Sequence, residues 1–442
     1  MIGIPRQVEE AIRVLNGGGY EAFVVGGCVR DIHMGKVPKD WDITTSAKPD
    51  ETMRIFDKYR RIETGLKHGT VTVVIDDMAL EITTYRIDGE YTDHRRPETV
   101  TFTASLNEDL ARRDFTMNAM AYHPKHGLQD PYNGLLSIQQ KTIYCVGEPE
   151  KRFSEDALRI MRGLRFSSTL DFAIEPAVTN SMKKQAHWLS NVAKERIQQE
   201  LTKLIVGKSC AKVLRENTDL FVSIFPDFKP MVGFEQKNPY HCYDVWEHSL
   251  CALDSAPPVP VLRYAALLHD AGKPACFTTD DAGIGHFYGH EKISCEIAQN
   301  LLQSLKMDNA SIERIVCLIK YHDVPLTPRN KSIKRMLNKI GVDAFKQLII
   351  LARCDNNAKS PNSRKNPELF DAVEYTLDEI LRKNECFSLK DLAVNGNDLI
   401  KIGYSGKNIG TALNYALDMV IKEQIANDKT ILIEEICKNC EK

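Results

Sequence analysis

The most constraining feature of the sequence is the segment FVVGGCVRDIHMGKVPKDWD, which begins at Phe23. Its apolar start predicts a short strand that ends at Gly26 and Gly27, where backbone N–H groups can approach an anion closely. Asp40 and Asp42 follow, and on a strand residues two apart point to one face. Two adjacent carboxylates suit Mg²⁺, which completes its shell with water and phosphate. The alternative is a solvated acidic loop.

The surroundings of the two aspartates favour the metal site. The run TVTVVIDDMALEITT at 70–84 alternates β-branched and other residues around an Asp-Asp turn, which predicts a β-hairpin. Its second strand carries Glu81, which would lie beside the aspartates if these strands share a sheet. Arg30 follows the glycine turn and is placed to contact a phosphate.

The character of the chain changes near residue 150. Strand and helix patterns alternate before that point. After it, segments such as ALRIMRGLRFSSTL at 157–170 and ERIQQELTKLIV at 195–206 have apolar residues at helical spacing. We therefore predict the α+β fold class, with a mixed head followed by a long all-helical remainder. The Pro-, Gly- and aromatic-rich stretch 226–242 suits a domain boundary or a loop over a site.

Length and composition limit the function classes. A chain of 442 residues predicts roughly two to four domains, and a net charge of -2 argues against a strongly basic nucleic-acid coat but not against a local basic groove. We find no signal-peptide pattern and no run apolar enough to span a bilayer, which predicts a cytoplasmic protein without membrane contact. The C-x-x-C pair Cys437 and Cys440 has no second pair to complete a zinc site, so reduced thiols are the favoured interpretation.

Five ordered motifs resemble those of class II template-independent nucleotidyltransferases, the family of tRNA CCA-adding enzymes and bacterial poly(A) polymerases. They are GGCVRD with DWDIT, RRDFTMNAM at 112–120, GLQDPYNG at 127–134, SEDALRIMRGLRF at 154–166 and ERIQQEL at 195–201. The resemblance implies a polymerase-β-like head followed by a helical neck, body and tail. It implies that Asp40 and Asp42 hold catalytic Mg²⁺ ions, with Glu81 as a third acidic position. The implied reaction is two-metal nucleotidyl transfer with release of pyrophosphate.

The same resemblance implies a set of nucleotide-binding residues. They are Gly26, Gly27, Arg30, Arg113, Asp114, Glu155, Asp156, Arg159 and Arg162. Arg113 and Asp114 would contact the ribose. On local spacing alone, Asp156 and Arg159 are i, i+3 on a helix, which favours a surface ion pair. In the family, the corresponding pair selects the base, because it complements the amino group and acceptor of C and A and leaves polar groups of U and G unpaired. Glu155 would orient the arginine.

The stretch DGEYTDHRRPETV at 88–100 resembles the flexible loop of family members that add the terminal A. Its recognisable positions are Asp93, Arg95, Arg96 and Pro97. Without the family, a solvated basic turn would be the preferred interpretation. CC-only relatives lack much of this loop, so the resemblance favours full CCA or A-only addition over CC-only addition.

Six residues in the helical part resemble the metal-binding set of HD phosphohydrolases. They are His248, His269, Asp270, His290, His322 and Asp355. A lone histidine is more often a packed or exposed residue, but here the order and the helical setting match the whole set. The resemblance implies one metal held by His248, His269, Asp270 and Asp355, with the other two histidines binding a second metal or a phosphate. Imidazole ligands favour a divalent transition metal over Mg²⁺. Whether this site hydrolyses a substrate is an open alternative.

The predicted domains are a nucleotidyltransferase head at 1–140, a neck with nucleotide-selecting helices at 141–208, a helical HD body at 209–370 and a helical tail at 371–442. The tail, with GYSGKNIG as a turn between two helices, would contact the tRNA elbow. The predicted function is CCA addition to tRNA from CTP and ATP, and the oligomeric state is left open. The alternatives are an A-adding or CC-adding enzyme, a poly(A) polymerase, an HD phosphohydrolase with an RNA-binding head, and a non-catalytic RNA-binding protein.

Overall fold

The computed structural model describes residues 3–62, 65–66, 69–89 and 100–441. It divides into two compact units, Met1–Pro226 and Asp227–Lys442. The division falls at the start of the stretch 226–242. The finer domain boundaries stay predictions. Residues 90–99, and with them Asp93, Arg95, Arg96 and Pro97 of the predicted loop, lie outside the described part of the chain.

The first unit contains a mixed sheet with helices. The strands are β1 (Ala22–Val25), β2 (Asp42–Thr45), β3 (Arg60–Ile62), β4 (Thr70–Ile75), β5 (Met78–Thr84), β6 (Arg86–Asp88), β7 (Val100–Phe102), β8 (Ala121–His123), β9 (Gly127–Gln129), β10 (Thr142–Ile143) and β11 (Ala173–Ile174). Within the described residues, seven of them form one sheet in the order β3-β4-β5-β2-β1-β8-β9. The pair β2–β5 is parallel, whereas the other pairs of this sheet are antiparallel.

The predicted hairpin at 70–84 is confirmed as β4 and β5. Asp76 and Asp77 form its turn with φ values of 45° and 64°. Positive φ at both turn positions matches the strand twist, and aspartate tolerates this conformation better than most residues. The pleat then buries Val71 and Val73 of β4 and Leu80 and Ile82 of β5 in the core of the sheet.

The first unit contains helices between its strands, and beyond about residue 150 it is mostly helical. The helices are α1 (Arg6–Gly17), α2 (Gly27–His33), α3 (Pro49–Ile55), α4 (Leu106–Ala111), α5 (Gly134–Gln140), α6 (Pro149–Glu155), α7 (Leu158–Leu170), α8 (Pro176–Gln185), α9 (Lys194–Ile205), α10 (Cys210–Glu216) and α11 (Thr218–Ile224). The helices predicted at 157–170 and 195–206 are confirmed as α7 and α9, and they pack against each other. The α+β fold class is therefore confirmed.

The second unit is helical apart from one short hairpin among its described residues. Its elements are α12 (Val245–Ser255), α13 (Pro260–Leu268), β12 (Thr278–Thr279), β13 (Gly285–His286), α14 (His290–Ser304), α15 (Asn309–Tyr321), α16 (Asn330–Ala358), α17 (Pro367–Arg382), α18 (Gly396–Lys401), α19 (Lys407–Ile421) and α20 (Lys429–Asn439). The motif GYSGKNIG links α18 to α19, as predicted. Among the described helices, none combines the length and the hydrophobicity needed to cross a membrane.

Candidate active site and candidate metal centre

Asp42 and Glu81 lie on adjacent strands of the first unit. Because β2 pairs in parallel with β5, Asp42 is directly opposite Glu81, which confirms that the two strands share a sheet. Burial raises the pKa of Asp42 to about 6, and the charges of Glu81 and Asp40 add to this shift while Arg113 opposes it. The carboxylates therefore repel one another, and a divalent cation between them would relieve that repulsion.

The placement of Asp40 on the strand was wrong. Asp40 lies in an exposed bend, and β2 begins only at Asp42. On the side of β1, residue 40 has no partner, because β1 ends at Val25 before the turn at Gly26. Asp40 still lies near enough for its charge to raise the pKa of Asp42.

Gly26 is the turn between β1 and α2. Its φ of 80° favours glycine, and a Cβ there would lie 3.1 Å from Nη1 of Arg113. Gly26 thus lets the segment RRDFTMNAM at 112–120, called the second motif below, approach the start of α2. Gly27 is the first residue of that helix.

Arg30 is buried on α2 and bonded within the protein. Its Nη1 donates to Oδ1 of Asn118 at 2.7 Å, and its Nη2 donates to Oδ1 of Asp31 at 2.7 Å. Its guanidinium also lies 5.2 Å from the ring centre of Phe166 on α7. These contacts join α2 to the second motif and to the neck, while the phosphate contact of Arg30 stays a prediction.

Asp109 on α4 is an organising residue that the sequence analysis missed. Its side chain is fully buried, and Oδ1 accepts from Nε and Nη2 of Arg112 at 3.0 and 2.8 Å. Oδ2 accepts from Nη2 of Arg113 at 3.1 Å and from Oγ1 of Thr44 at 3.2 Å. Burial alone would raise the pKa of Asp109, but Arg113 and Arg112 outweigh it and hold the pKa below its usual value. The available signal was its spacing, three and four residues before the two arginines.

Asp114 joins the second motif to α7. Its Oδ2 accepts from Nε of Arg162 at 2.7 Å, and its Oδ1 accepts from Nδ2 of Asn118 at 3.2 Å. Burial opposes ionisation, but Arg162 and Arg159 outweigh it and lower the pKa of Asp114 to about 2. The carboxylate is therefore ionised and held at the junction of head and neck.

The placement of Asp156 and Arg159 on one helix face was wrong, because the chain leaves the helical conformation between α6 and α7. Asp156 has extended backbone angles, with φ −138° and ψ 102°, between α6 and α7. Its Oδ1 accepts from the backbone N–H of Leu158 at 3.0 Å, which satisfies a free donor at the start of α7. Its Oδ2 lies 3.4 Å from Nη2 of Arg196 in the ERIQQEL motif.

Arg159 is buried rather than part of a surface ion pair. Its Nη1 donates to Oε2 of Glu155 at 2.7 Å, and its Nη2 donates to the carbonyl of Arg112 at 2.8 Å. Glu155 also accepts from Nη2 of Arg152 at 2.6 Å. Glu155 therefore holds Arg159 in a defined plane, next to the backbone of the second motif.

The second unit brings the histidines of the HD set together. His248 lies within α12, His269 and His322 lie at the C-terminal ends of α13 and α15, and His290 begins α14. Each Nδ1 faces a backbone carbonyl, at 3.3, 2.8, 2.6 and 2.8 Å respectively. An Nδ1–H that donates to a carbonyl leaves the Nε2 lone pair available for a metal.

These Nε2 atoms converge on Asp270. The Oδ2 atom of Asp270 lies 3.2 Å from Nε2 of both His248 and His269, and Oδ1 lies 3.3 and 3.6 Å from Nε2 of His290 and His322. Oδ1 of Asp355 is 3.1 Å from Nε2 of His248. Ligand bonds of about 2.1 Å place ligand atoms roughly 3.0–3.4 Å apart around one ion. The spacing thus fits two metal positions that share Asp270.

The electrostatics of this cluster favour a cation at its centre. Both Asp270 oxygens are buried without a well-aligned hydrogen bond, although Nζ of Lys273 lies 2.7 Å from Oδ2. Burial alone would lower the pKa of His269, but Asp270 and Asp355 outweigh it and raise the pKa to about 10. The two carboxylates thus stabilise positive charge at this position, which is also what would hold a metal cation there.

A cleft of about 280 Å³ opens beside the cluster and adds residues that the sequence analysis missed. His241 belongs to the stretch 226–242, Lys273 lies three residues after Asp270, and Lys359 lies four residues after Asp355. Nζ of Lys359 is 2.7 Å from Oδ2 of Asp355. Helical spacing from the two aspartates was the available signal for both lysines.

Three family models match successive parts of the chain. Residues 22–144 match the Poly A polymerase head domain, residues 171–232 match a domain described as "Probable RNA and SrmB- binding site of polymerase A", and residues 277–436 match tRNA nucleotidyltransferase domain 2. The CCA-adding enzyme of Ligilactobacillus salivarius is 32% identical over 454 residues, which cover 98% of this chain and 97% of that protein.

Two further matches differ in extent. The CCA-adding enzyme of Geobacillus kaustophilus is 48% identical over 203 residues, so the chain spans only 50% of that curated relative. The crystal structure of the Bacillus stearothermophilus CCA-adding enzyme in complex with CTP is similar with a TM-score of 0.73 at 28% identity, and the match covers 98% of this chain and 96% of that chain.

Proposed function

Because this chain belongs to the family of CCA-adding enzymes, we propose that it adds CCA to the 3′ end of tRNA, using CTP and ATP and releasing pyrophosphate. One observation carries the proposal most directly. The carboxylate pair Asp42 and Glu81 lies in the same unit as Arg113, Asp114 and the Glu155–Arg159 pair. A hydrogen bond from Thr44 of β2 to Asp109, and the ion pairs Arg113–Asp109 and Arg162–Asp114, connect the segments that carry them.

Nucleotidyltransferases of this family use divalent metal ions. That the ion is Mg²⁺, held by Asp42 with Asp40 and supported by Glu81, is part of the proposal. When bound, it would supply Lewis-acid stabilisation of charge at the transferred phosphoryl group. The protein contributes positioning and charge rather than a covalent intermediate. The cytoplasmic location and the tail contact with tRNA also stay predictions.

The remaining residues of the site have separable roles in this proposal. Arg113 and Asp114 position the ribose, and Arg159 with Asp156 presents donors and an acceptor to the base. The amino group and ring acceptor of C or A complement that pair, whereas U and G would leave its polar groups unpaired. Glu155 supports this selection because it holds the Arg159 guanidinium.

A tRNA transcript that ends at its discriminator base tests the proposal. It is incubated with the enzyme, Mg²⁺ and CTP, ATP or both, and the 3′ ends are read at single-nucleotide resolution. We expect two C residues with CTP alone and one further A with both nucleotides. A ladder of A residues would indicate a poly(A) polymerase, addition of A only to a primer ending in CC would indicate a partial enzyme, and no addition would refute nucleotidyl transfer.

A second function, a phosphohydrolase at the HD cluster, is favoured by the shared position of Asp270 between two histidine pairs. Divalent transition metals bound there would supply a Lewis acid for hydrolysis of a phosphate ester. We expect His269→Ala to abolish bound transition metal and phosphatase activity while tRNA extension stays unchanged. His187→Ala, an exposed histidine of the first unit, is the control. Equal loss of both activities would contradict two separate sites.

A further inference from the structure

We propose that the stacked pair His286 and Tyr288 forms a nucleobase-binding subsite beside the HD cluster. The substrate of that cluster would then be a phosphorylated nucleoside, with its base on Tyr288 and its phosphate at the metal positions. This inference rests on the proposed phosphohydrolase function and deepens it. It concerns residues that neither the predicted metal set nor the nucleotidyl-transfer site includes.

The first observation is the geometry of the pair. The rings of His286 and Tyr288 are 5.4 Å apart between centres and only 7° from parallel. Asp280 anchors the imidazole, with Nε2 of His286 3.0 Å from its Oδ2. His286 therefore supports one face of Tyr288, and the phenol ring is oriented before any ligand arrives. A preoriented ring costs less conformational entropy when a ligand binds it.

The second observation is that two exposed tyrosine side chains line the cleft beside the HD cluster. Tyr288 is 81% exposed and Tyr240 is 59% exposed, yet both line the cleft that also contains Asp270, His290 and His322. Single exposed aromatic residues are common on protein surfaces. Two of them at the mouth of a cleft with buried metal-ligating groups are a more specific arrangement, because the apolar mouth and the charged floor match the two ends of a nucleotide.

The third observation is proximity along the chain. Tyr288 precedes His290 by two residues, so their Cα atoms lie at most about 7.6 Å apart. Gly289 between them has a φ of 79°, which turns the chain from the exposed ring to the start of α14. The base subsite and a candidate metal ligand are thus connected by a single tight turn.

The floor of the cleft suits a phosphate rather than an uncharged group. Lys273 and Lys359 both line it, beside Asp270 and Asp355 respectively. Metal cations at the shared Asp270 would add further positive charge. Aromatic stacking is tolerant of base identity, so we expect recognition of nucleotides in general, with stronger binding of the larger purines.

The test compares ligands that differ by the base. Full-length protein loaded with Mn²⁺ is assayed with adenosine 2′-, 3′- and 5′-monophosphate, and with ribose 5-phosphate as the matched compound without a base. For Tyr288→Ala we expect KM for the adenosine monophosphates to rise about tenfold with kcat nearly unchanged, and no change for ribose 5-phosphate. Tyr288→Phe should behave like the wild type because it retains the ring. Tyr375→Ala, an exposed tyrosine of α17, is the control.

An equal effect of Tyr288→Ala on both kinds of ligand, or no effect, would overturn the subsite. If the protein hydrolyses none of these compounds, the proposed phosphohydrolase function is refuted. A second measurement is then needed to decide the subsite. In that case, the difference in adenosine monophosphate affinity between wild type and Tyr288→Ala, measured by titration calorimetry, still decides the subsite. The nucleotide site of the first unit contributes equally to both proteins and cancels. A short RNA with a 3′-phosphate is assayed in parallel. If Tyr288→Ala lowers the affinity for this RNA more than the affinity for adenosine monophosphate, the subsite binds an RNA end. The reverse result indicates a free nucleotide.

Discussion

The buried carboxylate of Asp109 accepts a hydrogen bond from Nη2 of Arg113 at 3.1 Å. Through the same oxygen it accepts from Thr44 on β2, the strand that also carries Asp42. The Asp109 side chain therefore connects the second motif to β2, the strand that carries the candidate catalytic residue Asp42. This makes Asp109 a positioning residue for the proposed nucleotide site.

Asp109→Asn should weaken nucleotide binding more than it slows chemistry. Arg112 and Arg113 lose their shared counter-charge, so we expect KM for ATP and CTP to rise about tenfold with a smaller change in kcat. Removing one partner of a buried ion pair typically costs about 3–5 kcal/mol, and the asparagine should keep part of that through its hydrogen bonds. Steady-state kinetics and urea unfolding measure the two effects. Asp171→Asn, a half-buried carboxylate near Lys208 and Lys212, is the control and should cost about 0–1 kcal/mol. A fall in kcat with unchanged KM would contradict the positioning role.

Asp42→Asn should abolish nucleotide incorporation. The substitution keeps the shape but removes the charge that holds the proposed metal ion, so we expect at least a 1,000-fold loss, an effect of about 4 kcal/mol. Single-nucleotide extension of tRNA measures it, with melting temperature as a check on folding. Asp76→Asn is the matched control, because this turn residue lies away from the carboxylate pair and asparagine tolerates its positive φ. Activity in Asp42→Asn near the wild-type level would exclude Asp42 as a catalytic residue.

Glu155→Gln should reduce base selection more than overall rate. The neutral amide holds the Arg159 guanidinium less firmly, so incorporation of U or G relative to C and A should rise about tenfold, or about 1.4 kcal/mol of selectivity. Competition between nucleoside triphosphates at single turnover measures the ratio. Glu150→Gln is the control, since Glu150 lies on the same helix in an exposed pair with Lys184. Unchanged selectivity with lost activity would assign Glu155 to structure alone.

Asp114→Asn should remove a pH-dependent part of the stability. The folded-state pKa of Asp114 is about 2, below the ordinary value of about 3.9. The ionised form is therefore favoured in the folded protein, and its contribution is complete above pH 4 and lost as the pH falls from 4 to 2. The shift of nearly two units corresponds to at most about 2–3 kcal/mol. Urea unfolding of both proteins between pH 7 and pH 3 should show the difference narrowing with acidity. A constant difference would indicate that packing, rather than charge, stabilises this site.

Local patterns in the sequence predicted much of the fold. The alternation at 70–84 predicted the hairpin, and the apolar spacing at 157–170 and 195–206 predicted α7 and α9. These patterns succeed because strand and helix periods involve neighbours in the chain. The prediction that Asp156 and Arg159 share a helix failed, because the Asp156 side chain accepts a hydrogen bond from the backbone N–H of Leu158 and this local bond competes with the helix.

By itself, the sequence determined which chemistry-bearing residues exist, their order and most of the elements that carry them. Only the tertiary structure decided that Asp42 lies opposite Glu81, that Asp109 connects Arg113 to β2, and that Asp270 is shared by two histidine pairs. The physical reason is that strand register, burial and ion pairing between distant segments depend on how the whole chain packs. A charge such as that of Asp109 is stable in the core only because packing brings its partners to it.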